Sequence, residues 1–371
     1  MLDRATEVAL PWALAAVFCA CITLLVLLVT VYLTRRIRQR RRDPLIESRH
    51  TQVIELLSAD TDEEADEISR ELLALRGWRW DVVVDDAFRM IPKFQGVAVE
   101  RLTAVLAQAG VMEERIADLS RGRAINRAAA ARDLGNARWG PAAEPIADLL
   151  RHRQPGVRNV AIRALGQIGD PGTVNNVFRA VAEGRVHIGP AIETLEAMGE
   201  SQDLTDGILA AMHVPVPEVR CVAVAVAGHV RMMDALPILH SLVVNDEDRD
   251  VRRLAALALG SLGDDSSVRF LVASTSADPS LSVALAAIAA LGEITTDEAI
   301  DVLRGFALSD DPAIGMAATD VIARIPHLGL PVLRGLRVDA PDNVIVTAAF
   351  QRCLLATGTD VPEADPQWAV A

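Results

Sequence analysis

The stretch Asp250-Val-Arg-Arg-Leu-Ala-Ala-Leu-Ala-Leu-Gly-Ser-Leu-Gly-Asp264 decides the fold, because close copies of it recur along the chain. One copy reads Gly156-Val-Arg-Asn-Val-Ala-Ile-Arg-Ala-Leu-Gly-Gln-Ile-Gly-Asp170, and shorter copies begin at Glu218 and Val283. The copies share a register whose positions lie 30 to 32 residues apart, at Gly135, Gly166, Glu196, Gly228, Gly260, Gly292 and Ala323. A spacing this regular predicts a solenoid, in which each repeat stacks on its neighbours.

The quoted stretch has the pattern of an amphipathic helix. Its apolar residues follow the i, i+3, i+4, i+7 rule, at Val251, Leu254, Ala255, Ala258, Leu259 and Leu262. The Gly263-Asp264 step then ends this helix and begins a turn, and a second helical pattern follows from Val268. We therefore expect an all-α chain that is built from helix pairs.

These repeats resemble the HEAT repeat, in its short form with the signature Val-Arg-x-x-Ala-x-x-Ala-Leu-Gly-x-x-Gly-Asp, which is known from phycobilisome-lyase-like proteins. The resemblance covers residues 120–356 and implies a right-handed α-solenoid. Within that frame we expect about ten HEAT-like helix pairs, preceded by one transmembrane helix. The expected pairs span residues 45–76, 79–109, 111–135, 141–168, 171–199, 202–229, 233–262, 265–292, 296–324 and 327–356.

The amino-terminal part of the chain has a different composition. Residues 8–34 carry no charge, and this length exceeds the roughly 20 residues that cross a bilayer as a helix. Arginines crowd only one flank, at Arg35, Arg36, Arg38, Arg40, Arg41 and Arg42. The positive-inside rule then predicts a single-pass protein of the cell (inner) membrane, with its N-terminus outside and the repeats in the cytoplasm. A cleaved signal peptide would instead have its basic residues before the apolar core.

These patterns divide the chain into six segments. A short extracytoplasmic N-terminus (1–7) is followed by the transmembrane helix (8–34) and a basic juxtamembrane linker (35–44). The repeats of 45–120 cap the stack and are degenerate, because they lack the Val-Arg and Leu-Gly pairs of the signature. The HEAT-like repeats (121–357) and a disordered tail (358–371) follow.

Charge and composition exclude several functions. The formal net charge is −13, and the segment 43–371 alone holds 30 basic and 48 acidic residues. An acidic body repels phosphate backbones, so no nucleic-acid partner is expected. The four cysteines and seven histidines show no metal-ligand spacing, and no phosphate-binding loop or nucleophile motif occurs. We therefore expect no enzyme activity, no cofactor and no metal.

Enzymes with related repeats are the remaining catalytic alternatives. HEAT-type iron hydroxylases carry His-Glu dipeptides in their repeats, and this sequence contains none. Phycobilin lyases share the repeat signature but are soluble, so a lyase-like enzyme stays a remote alternative. HEAT-like DNA glycosylases need a basic groove, which the charge balance does not favour.

The arginines of the Val-Arg signature have two interpretations. The resemblance implies a structural ladder, in which each guanidinium binds carbonyls and acidic groups of adjacent repeats. The alternative is that these side chains contact an anion or an acidic peptide. The arginines concerned are Arg127, Arg158, Arg220 and Arg252.

A solenoid offers a long concave face, lined by the second helix of each pair, rather than an enclosed pocket. One-turn spacing from the signature predicts three exposed positions on each second helix, with small apolar residues in the middle of the stack and a polar rim. This stripe could accept a helix or an extended segment of another protein. If the register is wrong by one residue, the same side chains belong to the core. The candidate partner-binding residues are Arg163, Cys221, Ala225, His229, Arg253, Leu257, Leu285 and Ala289.

The sequence thus predicts a membrane-anchored cytoplasmic scaffold whose partners are another protein and the lipid bilayer. The alternative is an accessory subunit of a membrane enzyme or transporter, for example a glycosyltransferase, in which the transmembrane helix is itself a binding surface.

Overall fold

The structure is a computed structural model that describes residues 53–59, 61–94, 96–199 and 201–357. All regular secondary structure in these ranges is helical, which confirms the predicted all-α solenoid of helix pairs. The predicted membrane helix, its arginine flank and the tail lie outside the described residues, so they stay predictions. Among the described helices, none combines the length and the apolar character that crossing a bilayer requires.

A helical segment at residues 53–58 comes first and is followed by helices that alternate as first and second members of pairs. These helices are α1 (Asp62–Leu73), α2 (Trp78–Met90), α3 (Val97–Gln108), α4 (Val111–Ser120), α5 (Ala124–Asn136), α6 (Ala143–Asp148), α7 (Pro155–Ile168), α8 (Val174–Ala182), α9 (Ile188–Ala197), α10 (Gln202–Ala211), α11 (Pro217–His229), α12 (Leu236–Asn245), α13 (Arg249–Leu262), α14 (Val268–Ala277), α15 (Leu281–Ile294), α16 (Asp297–Ala307), α17 (Pro312–Arg324), α18 (Gly329–Asp339) and α19 (Val344–Thr357). Every helix from α5 onwards contributes to the repeats that the signature predicts.

The chain divides into two compact units, Met1–Glu114 and Arg115–Ala371. The sequence places this boundary at 120, which is the last residue of the same helix, α4. In the first unit, Leu56, Leu72, Leu102 and Leu106 are completely buried. The second unit contains all copies of the signature and is the part that bears on function.

Local sequence determines where the second helices begin. The Asp248 carboxylate accepts hydrogen bonds from the backbone N–H groups of Asp250 and Val251 at the start of α13. Proline occupies the first position of α7, α11 and α17, where a helix needs no N–H donor. Side-chain caps and prolines of this kind fix the helix starts and therefore the register of each pair.

In seven successive repeats, a residue one to three positions after the second helix lies in the left-handed region, with φ between 50° and 73°. Glycine adopts this conformation without strain, whereas a β-branched side chain at the same place is strained. Three of the seven positions are glycine, and Thr295 is the β-branched exception. The positions are Arg138, Gly169, Gly199, Arg231, Gly263, Thr295 and His327.

The glycine register marks the closest approach of neighbouring second helices. A Cβ atom placed on Gly260 would lie 2.7 Å from the Cα of Ala290, and one on Gly228 would lie 2.8 Å from the Cα of Ala258. The second helices therefore pack backbone against backbone, and they contact each other more extensively than the first helices do. This is the closely spaced side of the stack, which is concave in a curved solenoid.

Candidate functional site

The exposed residues of α7, α9, α13, α15 and α17, together with Glu218 and His229 at the two ends of α11, are called here the second-helix face; the middle of α11 is buried. Arg163 and His229 of the predicted set are exposed on this face, and the Leu257 side chain is 38% exposed. Arg253, Leu285 and Ala289 are half-buried. The structure therefore brings six of the eight predicted residues to the surface of the second helices.

Cys221 and Ala225 do not belong to this surface, so their prediction as exposed residues is wrong. They are 4% and 7% exposed, because α11 lies between α9 and α13 and its short side chains do not reach beyond longer neighbours. In the repeat register Ala225 lies between Glu193 and Leu257, and Cys221 lies beside Arg253. Burial raises the pKa of the Cys221 thiol to about 12, and the carboxylates of Asp248 and Asp250 act in the same direction.

An open groove of about 750 Å³ lies on the second-helix face between α7 and α9. Its polar lining comes from α7, from α9 and from the turn after α5. Gly166 and Ala197 lie in its floor, where α7 packs closely on α9 and the buried Thr194 hydroxyl donates to the carbonyl of Ile162 at 3.0 Å. The polar and charged side chains of the lining are Arg138, Asn159, Arg163, Gln167, His187 and Glu193.

The opposite end of the second-helix face is apolar. Leu281 and Leu285 lie one turn apart on α15, and the exposed Met316 follows on α17. Leu257 on α13 extends this surface towards the middle of the stack. Large apolar side chains therefore become exposed on the face at α13, α15 and α17, beside charged neighbours such as Arg249, Glu293 and Arg324.

The Val-Arg arginines lie in the first turns of the second helices α5, α7, α11 and α13, and their side chains bind the segments that join the helices. Arg220 donates from Nε and Nη2 to the two carboxylate oxygens of Asp246, at 2.8 Å each, and from Nη1 to the carbonyls of Val214 and Pro215 at 2.9 Å. The hydrogen bond to Asp246 raises the pKa of Arg220, although partial burial opposes it. Arg220 therefore connects its own repeat to the loop of the next one.

The same arrangement recurs one repeat later. Arg252 binds the carboxylate of Asp278 and the carbonyls of Asp246 and Glu247, and the hydrogen bond to Asp278 raises its pKa. Asp246 therefore serves two arginines, one through its side chain and one through its carbonyl.

The two earlier arginines bind carbonyls alone. Arg158 donates to the carbonyls of Arg185, His152 and Arg153, and Arg127 donates to the carbonyl of Ser120. Arg158, Arg220 and Arg252 thus bind the next repeat, as a structural ladder requires, whereas the hydrogen bond of Arg127 stays within its own pair.

Two contacts between repeats were not assigned to particular residues from the sequence. One is the pairing of the ladder with Asp246 and Asp278: the resemblance implied acidic partners without naming them, and the signal was the recurrence of these aspartates at the repeat period. The other joins the His229 ring Nδ1 to the carboxylate of Glu196, the residue that replaces glycine in the register. Among the described residues, no group of three or more His, Cys, Asp and Glu side chains could hold a metal ion.

Comparison with solved structures shows a shared fold. A crystal structure of a Kap121p mutant matches with a TM-score of 0.53 at 12% identity, covering 82% of this chain and 39% of that chain. The chain thus spans about two fifths of the Kap121p length. Two further matches have TM-scores too low to carry an argument. One is the complex of Kap95p with RanGDP (TM-score 0.46, 12% identity, 87% and 52% coverage), and the other is the CpcE–CpcF complex of phycocyanin lyase from Nostoc (0.28, 18%, 66% and 94%).

Sequence comparison identifies the repeats directly. No curated protein sequence matches the chain. The family model described as HEAT repeats matches residues 113–196, 205–284 and 271–352, which together make up more than half of the chain. The chain therefore belongs to the family of HEAT-repeat proteins.

Proposed function

We propose that this protein is a membrane-anchored, cytoplasmic scaffold that binds a segment of a partner protein on its second-helix face and catalyses no reaction. The observation that carries this proposal is that side chains are exposed on the same side of successive repeats. A polar groove lies at α7 and α9, and exposed leucines lie at α13 and α15, on either side of the buried middle of α11. A surface of this length suits a protein segment better than a small molecule, which needs a concave pocket that encloses it.

The membrane part of the proposal rests on the sequence alone. The uncharged residues 8–34 and the arginines that follow them favour a helix in the inner membrane with the repeats on the cytoplasmic side. Attachment to the membrane would raise the effective concentration of a bound partner there.

A second candidate is an accessory subunit of a membrane enzyme or transporter, and the same uncharged stretch favours it. Replacement of residues 8–34 by an unrelated membrane helix distinguishes the two. A tether keeps its function after the exchange, whereas a subunit that binds through this helix loses it.

Photo-crosslinking in native membranes tests the binding face. We would place p-benzoylphenylalanine at position 257 or 285 of the face and, as a matched control, at Val244, which is exposed on the first helix α12. We expect the same partner to be captured from 257 and 285 and not from 244. Equal capture from all three positions, or capture from 244 alone, would contradict the proposal.

A further inference from the structure

The groove between α7 and α9 differs in charge from the rest of this acidic protein. Arg138 and Arg163 both line it, and no carboxylate of the described residues lies within 4.0 Å of either guanidinium. The four ladder arginines, in contrast, bind carbonyls or carboxylates inside the stack. Two arginines of the groove are therefore available to a ligand.

The rest of the lining complements these two cations. Asn159 and Gln167 supply amide groups that donate and accept hydrogen bonds, and Gln167 also donates to Asn136 at 3.1 Å. Glu193 is the one carboxylate of the lining, so the groove retains a net positive charge. Gly166 and Gly169 lie against Thr194 and Ala197 of α9, so α7 and α9 pack closely at the floor of the groove.

We propose that this groove binds an extended, acidic segment of a partner protein, with Arg138 and Arg163 pairing with its Asp or Glu side chains. Charge complementarity carries the inference, because the arginine fork matches a carboxylate in geometry as well as in charge. The inference rests on the proposed function and adds the chemistry of the partner. An apolar helix would instead favour the leucines at α13 and α15.

A displayed library of random 12-residue peptides, selected against the full chain in detergent, tests the inference. We expect enrichment of Asp and Glu in the selected peptides. A synthetic copy of one selected peptide should lose about tenfold in affinity with Arg163→Glu, measured by fluorescence polarisation. Arg163→Lys should keep most of the affinity, and binding should weaken as salt rises.

The matched control is Arg179→Glu. Arg179 is exposed on α8, the first helix of the pair that contains α9, so its reversal changes the net charge equally on the other layer of helices. We expect it to leave peptide binding within about twofold, since exposed charges at this distance are screened by salt. Thermal denaturation of both variants would show that the stack is intact.

Three results would overturn the inference: no peptide is selected, the selected peptides lack acidic residues, or Arg163→Glu and Arg179→Glu have equal effects. If selected peptides depend on Leu257 and not on Arg163, the acidic partner is excluded while the proposed function stands. If peptides depend on neither residue and crosslinking from positions 257 and 285 also fails, the proposed function fails as well.

Discussion

The middle of the stack and its carboxyl-terminal end use the same repeat frame but connect their repeats differently. In the middle, Arg220 and Asp246 form a pair whose side chains are 12% and 4% exposed. Near the end, Arg352 and Asp320 lie 2.7 Å apart with side chains that are 63% and 43% exposed. The two ion pairs have similar distances but contribute differently to stability. Solvent screens the exposed Arg352–Asp320 pair, whereas the buried Arg220–Asp246 pair is shielded from it.

The first prediction concerns this pair of interactions and has the largest expected effect. Arg220→Ala leaves the buried Asp246 carboxylate without its counter-ion and should reduce the local free energy of unfolding by about 3–5 kcal/mol. Arg352→Ala should cost less than about 1 kcal/mol. Native-state hydrogen exchange measures both losses in local free energy of unfolding, the first in α11–α13 and the second in α17–α19. Equal losses would show that burial does not separate the two regions.

The second prediction concerns the glycine register. Gly260→Ala places a methyl group against the backbone of Ala290 and should destabilise the contact of α13 with α15 by about 1–3 kcal/mol. The control is Glu196→Ala, because position 196 already accommodates a Cβ atom; the loss there should stay below about 1 kcal/mol. Hydrogen exchange on the helices beside each site is again the measurement. If Gly260→Ala leaves the local free energy of unfolding unchanged, the second helices can move apart without loss of stability, which would contradict the prediction.

The third prediction has the smallest effect and concerns the left-handed turn residues. Thr295→Gly relieves the strain of a β-branched residue at φ 53° and should stabilise the protein by about 1 kcal/mol. Gly263→Ala, at φ 73° and with no neighbouring atom within 4 Å of its Cβ, should destabilise it by about the same amount. Thermal denaturation monitored by circular dichroism checks both, and shifts of the same sign would contradict the prediction.

The sequence was sufficient to predict the helix pairs, because the glycine register and the apolar periodicity both report on packing between neighbouring repeats. It also predicted most of the second-helix face, since residues one turn apart share a side of a helix. The prediction was wrong at Cys221 and Ala225, where short side chains are buried even though the register places them on the exposed side.

Other features depend on residues that are distant in the sequence and close in space. Asp246 is 26 residues from Arg220, and the groove combines side chains from three successive repeats. Periodicity describes each repeat separately, so it does not show which charges remain unpaired once the repeats stack. That the two groove arginines have no carboxylate partner could be seen only in the structure.

The interval between α9 and α11 lacks the arginine ladder and the glycine contact of the middle of the stack, and the partly exposed pair of His229 and Glu196 joins its helices instead. Ile188 stands where the ladder has arginine, and Glu196 stands where the register has glycine. Elastic bending of a solenoid concentrates where successive repeats are least tightly joined. We therefore expect this interval to act as a hinge, so that flexing of the stack would change the angle between the groove on one side and the exposed leucines of α13 and α15 on the other.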